Sequence, residues 1–353
     1  MSEQTKAPSL PTCLDAVGAL HSLSRNEVQH SSHFAFAADL GGTNLRAALI
    51  DDRGQIHFRL KRDTPHSSGH DQVIQALASA ARECEHYARQ SGDSVDLGCV
   101  VVPGTIDLLN QNVIQAQNIR ALDQVPLRAA LEAELGWQVL LENDANAAAI
   151  GEMWRGAGRG FKTIVCLTLG TGVGGGLILD GKLWRGADGA AGDIGHATVD
   201  GLGGVPCKCG NEGCLEVYAS ATAIKRMTNK ARGHFPQSSL FAREDFSARD
   251  VYEAGVDGDQ LAIEVFEHVG TYLGIALANL VNILNPELII IGGGVANGWR
   301  LFEKNMREEI ARRAFPVPGG RVQIVAAQCG DDAGLLGAAQ LAFSFAGIDS
   351  VSG

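Results

Sequence analysis

Apolar and polar positions begin to alternate at Phe34, after a polar stretch of 32 residues. Three short runs follow, F-A-F-A-A-D-L from Phe34, N-L-R-A-A-L-I-D from Asn44 and Q-I-H-F-R-L-K from Gln55. The turn-forming G-G-T and D-R-G separate them, which predicts three strands joined by tight turns. A helical pattern then runs from His70 to Gln90 and stops at Ser91-Gly92. Leu97–Val102 reads as a buried strand ending at Pro103-Gly104. Trp137–Leu141 reads as another, leading through Asn143-Asp144 into an alanine-rich helix that reaches Trp154. The second half repeats the outline. T-I-V-C-L-T-L-G-T-G-V-G-G-G-L-I-L-D-G, from Thr163, is again strand, glycine turn, strand, and a long helix is predicted over Asp259–Leu284. E-L-I-I-I-G-G-G-V, from Glu287, is a buried strand running into a glycine turn and a new helix. V-Q-I-V-A-A is a last strand and Asp332–Phe345 a last helix. Strands alternating with helices predict an α/β fold, and the paired β-turn-β units at Asp39 and Gly170 predict two halves built on one plan.

Length changes this picture little but divides it. At 353 residues the chain exceeds one ordinary core, so two domains are expected. The expected division is an N-terminal tail or arm over 1–32, with a short helix at Leu14–Leu23, a small α/β domain over 33–150 and a large one over 151–331. R-G-A-G-R-G, from Arg155, marks the boundary, and the helix over 332–347 is expected to pack back on the small domain. The longest apolar region, Tyr272–Ile291, is interrupted by Asn279, Asn282, Asn285, Pro286 and Glu287. It therefore reads as a buried helix and a strand, not a membrane span. The first residues are polar and lack the apolar core of a signal peptide, so a cytoplasmic protein is expected. A net charge of −11 argues against a nucleic-acid surface.

The candidate chemistry lies in the turns. D-L-G-G-T-N places Asp39 at the end of a buried strand, where its carboxylate can bind Mg²⁺ directly or through water. Gly41 and Gly42 let the backbone approach an anion, and Thr43 and Asn44 add donors. A plain β-hairpin explains the same residues. G-T-G-V-G-G-G, from Gly170, and I-G-G-G-V, from Ile291, are two more such turns, neither a P-loop nor a dinucleotide fingerprint. Taken singly each is a tight turn; three of them, each leaving a buried strand, favour a cradle for phosphates. Asp144, where a strand meets a helix, is either an N-cap or a general base aimed into a cleft between domains. His196, Cys207, Cys209 and Cys214 make the ligand set of a closed tetrahedral zinc site, expected to be structural because four protein ligands leave no open position. A disulfide is the competing explanation, and C-x-C with a third cysteine and an upstream histidine suits it poorly. The other five of the eight cysteines are scattered, as buried free thiols would be.

Together these residues resemble the ROK family of sugar kinases and sugar-responsive repressors, within the actin-like ATPase (ribonuclease H-like) fold. The likeness covers nearly all of residues 34–347 and rests on D-L-G-G-T-N, V-P-G at Val102, N-D-A-N at Asn143, L-G-T-G-V-G-G-G, G-H followed by C-K-C-G-N-E-G-C-L-E, and I-G-G-G-V. It implies a two-domain kinase that closes its interdomain cleft over a hexose and transfers phosphate from Mg·ATP, with a dimer or tetramer as the expected assembly. It implies Asp144 as the catalytic base. Gly104, Asn118, Asn143, Asp144, Asp193, His196 and Glu216 are implied as hexose contacts. The ATP cradle is implied to be Asp39, Gly41, Gly42, Thr43 and Asn44 with Gly170, Thr171, Gly172, Gly292, Gly293 and Gly294. Glucose is the expected acceptor, with fructose, mannose, N-acetylglucosamine and N-acetylmannosamine as alternatives. A sugar-sensing regulator is disfavoured because only about thirty polar residues, few of them basic, precede the first strand. Polyphosphate as donor is disfavoured because the turns resemble those of ATP users. One residue departs from the family pattern. Asp193 stands where E-x-G-H is usual, and its side chain is shorter by one methylene, about 1.5 Å of reach. That departure bears on which sugar fits more than on the reaction.

Overall fold

The first strand alternates between two cores. A computed structural model of the chain describes residues 33–65, 69–107, 109–116, 118–242 and 245–348; the expected N-terminal arm lies outside them. In β1 (Phe34–Leu40), Phe34, Phe36, Ala38 and Leu40 pack with one apolar cluster, and Ala35 and Ala37 with another. A strand buried on both faces has to read as a nearly continuous apolar run, as this one does. β2 (Asn44–Asp51) and β3 (Ile56–Asp63) pair antiparallel beside it, and α1 (His70–Gln90) covers one face. β4 (Leu97–Val102) pairs parallel with β1. A two-stranded flap of β5 (Gly104–Ile106) and β6 (Val113–Ala116) follows, then α2 (Leu127–Leu135). β7 (Gln138–Asn143) closes this sheet, in the order β3-β2-β1-β4-β7.

α3 (Asp144–Arg155) leads into the second sheet, whose first strands are β8 (Ile164–Leu169), β9 (Val173–Leu179) and β10 (Lys182–Leu183). The short helices α4 (Glu216–Ala219), α5 (Ala221–Lys230) and α6 (Ala248–Val256) precede α7 (Gln260–Leu284). β11 (Leu288–Gly292), α8 (Trp299–Arg313), α9 (Pro316–Arg321), β12 (Gln323–Ala326) and α10 (Ala333–Phe345) complete the chain. The second sheet runs β10-β9-β8-β11-β12, with β9 antiparallel to β8 and β10, and β11 parallel to β8 and β12. Strand for strand this is the plan of the first sheet, so the repetition expected from the two glycine turns is a repetition of topology.

α7 is long and apolar enough to cross a membrane, yet it packs against α4, α5, α6 and α8 as the main helix of the second core. On the opposite face of that sheet lies α3, whose Ala149 and Ile150 pack with Ile164, Cys166 and Ile290. α10 returns against α3, β1 and β4, with Phe343 edge-on to Trp154 at 6.3 Å between ring centres.

α3 corrects the reading of one motif. Only Gly170–Gly172 is a turn; Gly174, Gly175 and Gly176 belong to β9. A Cβ at Gly174 would stand 2.9 Å from the Cβ of Ala145, and one at Gly176 would stand 2.6 Å from that of Ala149. Gly174 and Gly176 let α3 lie close on the strand, while Gly175, on the other face, packs against Gly192 and Ile194.

Candidate active site

A cavity of about 570 Å³ opens between the two sheets, bounded by the first glycine turn, the flap, the start of α3 and the loops of the second sheet. That volume is in the range of small-molecule sites, roughly 300–1,000 Å³.

Its floor is the junction of β7 and α3. The N-cap of α3 is Asn143: its Oδ1 accepts from the amides of Ala145 at 2.9 Å and Asn146 at 3.1 Å, while its Nδ2 donates to the carbonyl of Gly104 at 3.1 Å. Capping therefore falls to the asparagine, and Asp144, at the first helical position, is released to face the cavity. Crowding by the walls desolvates its carboxylate, and Asp39 and, more weakly, Asp193 add negative charge. These effects outweigh the bond from the Ala145 amide and push its pKa up to about 6. Two residues before it, Glu142 is buried and fixes the strand end. It accepts from Asn146 Nδ2 at 3.0 Å and from Arg185, whose Nε and Nη2 lie 2.7 and 2.6 Å from Oε2. Sequence reading passed over Glu142, although E-N-D-A-N carries it in plain sight.

The three turns differ in what they present. Gly41 and Gly42 line the cavity, and Gly42 abuts Asn118, which also lines it. Thr64 staples this turn, its Oγ1 donating to the Gly41 carbonyl at 2.7 Å and its amide to the Thr43 carbonyl at 2.9 Å. Asp39, Thr43 and Asn44 are not among the lining residues. Asp39 accepts from Arg46 Nη2 at 2.6 Å, yet burial still raises its pKa above the ordinary carboxylate value. Gly170, Thr171 and Gly172 line the opposite wall, and Thr222 Oγ1 donates to the Thr171 carbonyl at 2.9 Å. Of the third trio only Gly293 reaches the cavity; Gly292 ends β11 and Gly294 starts a turn of 3₁₀ helix, which intervenes before α8. Gly293 has φ +85° and presses on the backbone of Leu169, so glycine is required there for conformation and space alike.

Asp193, His196 and Glu216 share one side of the cavity. Glu216 opens α4, and its Oε2 accepts from the Val173 amide at 3.1 Å, tying it to the second turn. The Asp193 carboxylate is exposed and has no hydrogen-bond partner among the described residues. His196 turns Nδ1 toward Cys207 Sγ at 3.8 Å, and Cys209 and Cys214 sulfurs lie 3.7 Å apart. Nδ1 and the three sulfurs form a group whose ligand atoms all lie within 4.8 Å of one another. A disulfide needs about 2.05 Å between sulfurs. A tetrahedron of metal–sulfur bonds near 2.3 Å has edges of about 3.8 Å, which these separations match. The loop itself is held by backbone pairing of Thr198 with Cys214, by Tyr218 Oη donating to Asp200 at 2.8 Å, and by Tyr218 stacking on Tyr272.

Thr105 and Gln115 of the flap, Thr168, Lys208 and Arg226 also line the cavity. Lys208 lies within the cysteine cluster, between Cys207 and Cys209, while Thr105, Gln115 and Arg226 belong to no glycine motif or ligand cluster, so no local pattern singled those three out.

A family model described as the ROK family matches residues 35–344. A glucokinase of Halalkalibacterium halodurans is 37% identical over 87% of this chain and 94% of its own length. The crystal structure of a ROK family glucokinase from Streptomyces griseus, in complex with glucose and AMPPNP, superposes with a TM-score of 0.74 at 33% identity, over 88% of this chain and 99% of that one. A ROK hexokinase from Thermus thermophilus superposes at 0.75 with 32% identity, over 89% and 99%.

Proposed function

The chain belongs to the ROK family and is a sugar kinase of the actin-like ATPase fold, and from that premise we propose that it phosphorylates glucose at the 6-hydroxyl with ATP, with Asp144 as the general base. One observation carries the assignment of the base. Asn143 performs the capping that Asp144 would otherwise perform, which leaves a carboxylate with a pKa near 6 facing the cavity. Such a group is ionised at neutral pH yet basic enough to take a proton.

In the proposed step the hydroxyl oxygen attacks the γ-phosphorus as its proton passes to Asp144. The O6–P bond forms, the bond to the β-phosphate oxygen breaks, and ADP leaves with the electron pair. Asn118, Asn143, Asp193, His196 and Glu216 hold the sugar hydroxyls, with the Gly104 backbone beside them. The amides of the Gly41, Gly170 and Gly293 turns receive the phosphates. Mg²⁺, when bound with ATP, neutralises developing phosphate charge. Asp39, which does not line the cavity, would hold it through water by the carboxylate oxygen that Arg46 leaves free. Zinc fits the Cys₃His group, where it would hold loop 196–214 together. His196 Nδ1 then serves the metal while Nε2 is left for a sugar hydroxyl. We place the protein in the cytoplasm, a reducing compartment that suits the free thiols of Cys84, Cys99, Cys166 and Cys329.

A coupled assay across glucose, fructose, mannose, N-acetylglucosamine and N-acetylmannosamine, with ATP and with polyphosphate, tests the reading. The highest kcat/KM is expected for glucose with ATP, and Asp144→Ala is expected to lower kcat by about 10²–10⁴-fold. Preference for another sugar would point to the shorter Asp193 as the cause. Turnover by Asp144→Ala near the parent level would remove it from its role.

A further inference from the structure

The acceptor side of the cavity is acidic, with Asp144, Asp193 and Glu216, yet the donor of the proposed reaction is a polyanion. Among the described residues the walls carry two side chains with fixed positive charge, Lys208 and Arg226. Lys208 sits in the loop between Cys207 and Cys209. Arg226 is placed differently. It lies on α5, and the start of that helix is bonded to the second glycine turn: the Ala221 amide donates to the Gly170 carbonyl at 2.8 Å and Thr222 Oγ1 to that of Thr171. Thr222 and Arg226, one helical turn apart, both line the cavity. The guanidinium gives an N–H to the carbonyl of Val217, and no carboxylate or other acceptor among the described residues takes the rest. A guanidinium has five N–H donors in a planar fork suited to phosphate oxygens. A protein that needed only to hold the Val217 carbonyl would have no use for a full charge left open to the cavity.

We propose that Arg226 is a donor-binding residue of this kinase, its unused guanidinium N–H groups taking oxygens of the nucleotide polyphosphate beside the Gly170–Gly172 turn. The proposal rests on the kinase reading above. Its test is a binding measurement that needs no turnover, so a wrong sugar assignment leaves it standing. The full-length protein is titrated calorimetrically with AMPPNP, inorganic tripolyphosphate, adenosine and glucose, as parent, Arg226→Ala and Arg226→Lys.

Loss of a charge-assisted contact predicts a drop of about tenfold or more in affinity for AMPPNP and for tripolyphosphate in Arg226→Ala. Arg226→Lys should recover part of it, while adenosine and glucose stay within about twofold of the parent on the same principle. Thermal melting of each variant establishes that it is folded. Unchanged tripolyphosphate affinity in folded Arg226→Ala overturns the proposal, and loss of adenosine binding alone would assign the guanidinium to the base. An equal loss of glucose affinity would mean that Arg226 acts through Val217 on Glu216 and holds the acceptor side instead.

Discussion

Asp144 serves two ends that oppose each other. The crowding and negative neighbours that make it basic also make its ionised form costly in the folded state. Its pKa is raised on folding, so its contribution to stability is most favourable below the ordinary carboxylate value of 3.8 and is lost as pH rises through about 6. Asp144→Asn removes that cost and should melt at a higher temperature than the parent at pH 7–8 while losing turnover; an equal or lower melting point would contradict the balance described. On the proposed role activity runs the other way, because a general base works only when ionised. The kcat/KM for glucose should fall about tenfold per unit of pH below about 6. Asp193→Asn, which removes one of the charges, should move that acidic limb to lower pH. At this scale the sequence offered Asp144 in two roles, cap or base. Only the placement of Asn143 Oδ1 against two amides separates them, since adjacent Asn and Asp are equally good caps by type.

At the scale of elements, the strands and long helices follow from periodicity. The predicted helix over His70–Gln90 and strand over Leu97–Val102 are found at those bounds, and the helix predicted from Asp259 begins one residue later because Asp259 is its N-cap. Elements of few residues, such as α4, α9 and the flap strands, carry too short a pattern to read. So does the junction of α3 with the segment before α10. There the Glu152 side chain, 1% of the residue exposed, accepts from the amides of Ala157, Gln328 and Cys329 at 2.7–3.1 Å. The three amides come from two connections at least 171 residues apart in sequence, so no window of the chain contains the interaction. Glu152→Ala would leave three partly buried donors without this acceptor and is expected to cost about 2–3 kcal/mol, read as a lower denaturation midpoint. A loss below about 1 kcal/mol would mean that water replaces the carboxylate.

For the whole molecule, the prediction concerns the Cys₃His group. If zinc holds loop 196–214, then stripping it with a strong chelator should lower glucose affinity and melting temperature together, and restoring zinc should recover both. Metal shown by elemental analysis to be gone, with both properties unchanged, would break the link. The Cys₃His cluster and the cavity-lining positions of Asp144, Asp193, His196 and Glu216 were legible because each lies in or beside a short motif, whereas Asn118 lies in none and came only with the family resemblance. The sequence by itself determined which elements form and which residue types the chemistry needs, because periodicity and ligand spacing are properties of neighbours along the chain. Tertiary structure alone decided that Gly174 and Gly176 serve the packing of α3, that Asp39 is bound to Arg46 outside the cavity lining, and that Arg226 faces the cavity. These outcomes depend on which faces meet when two sheets and a shared helix close on one another, and a contact between distant segments leaves no periodic trace in either.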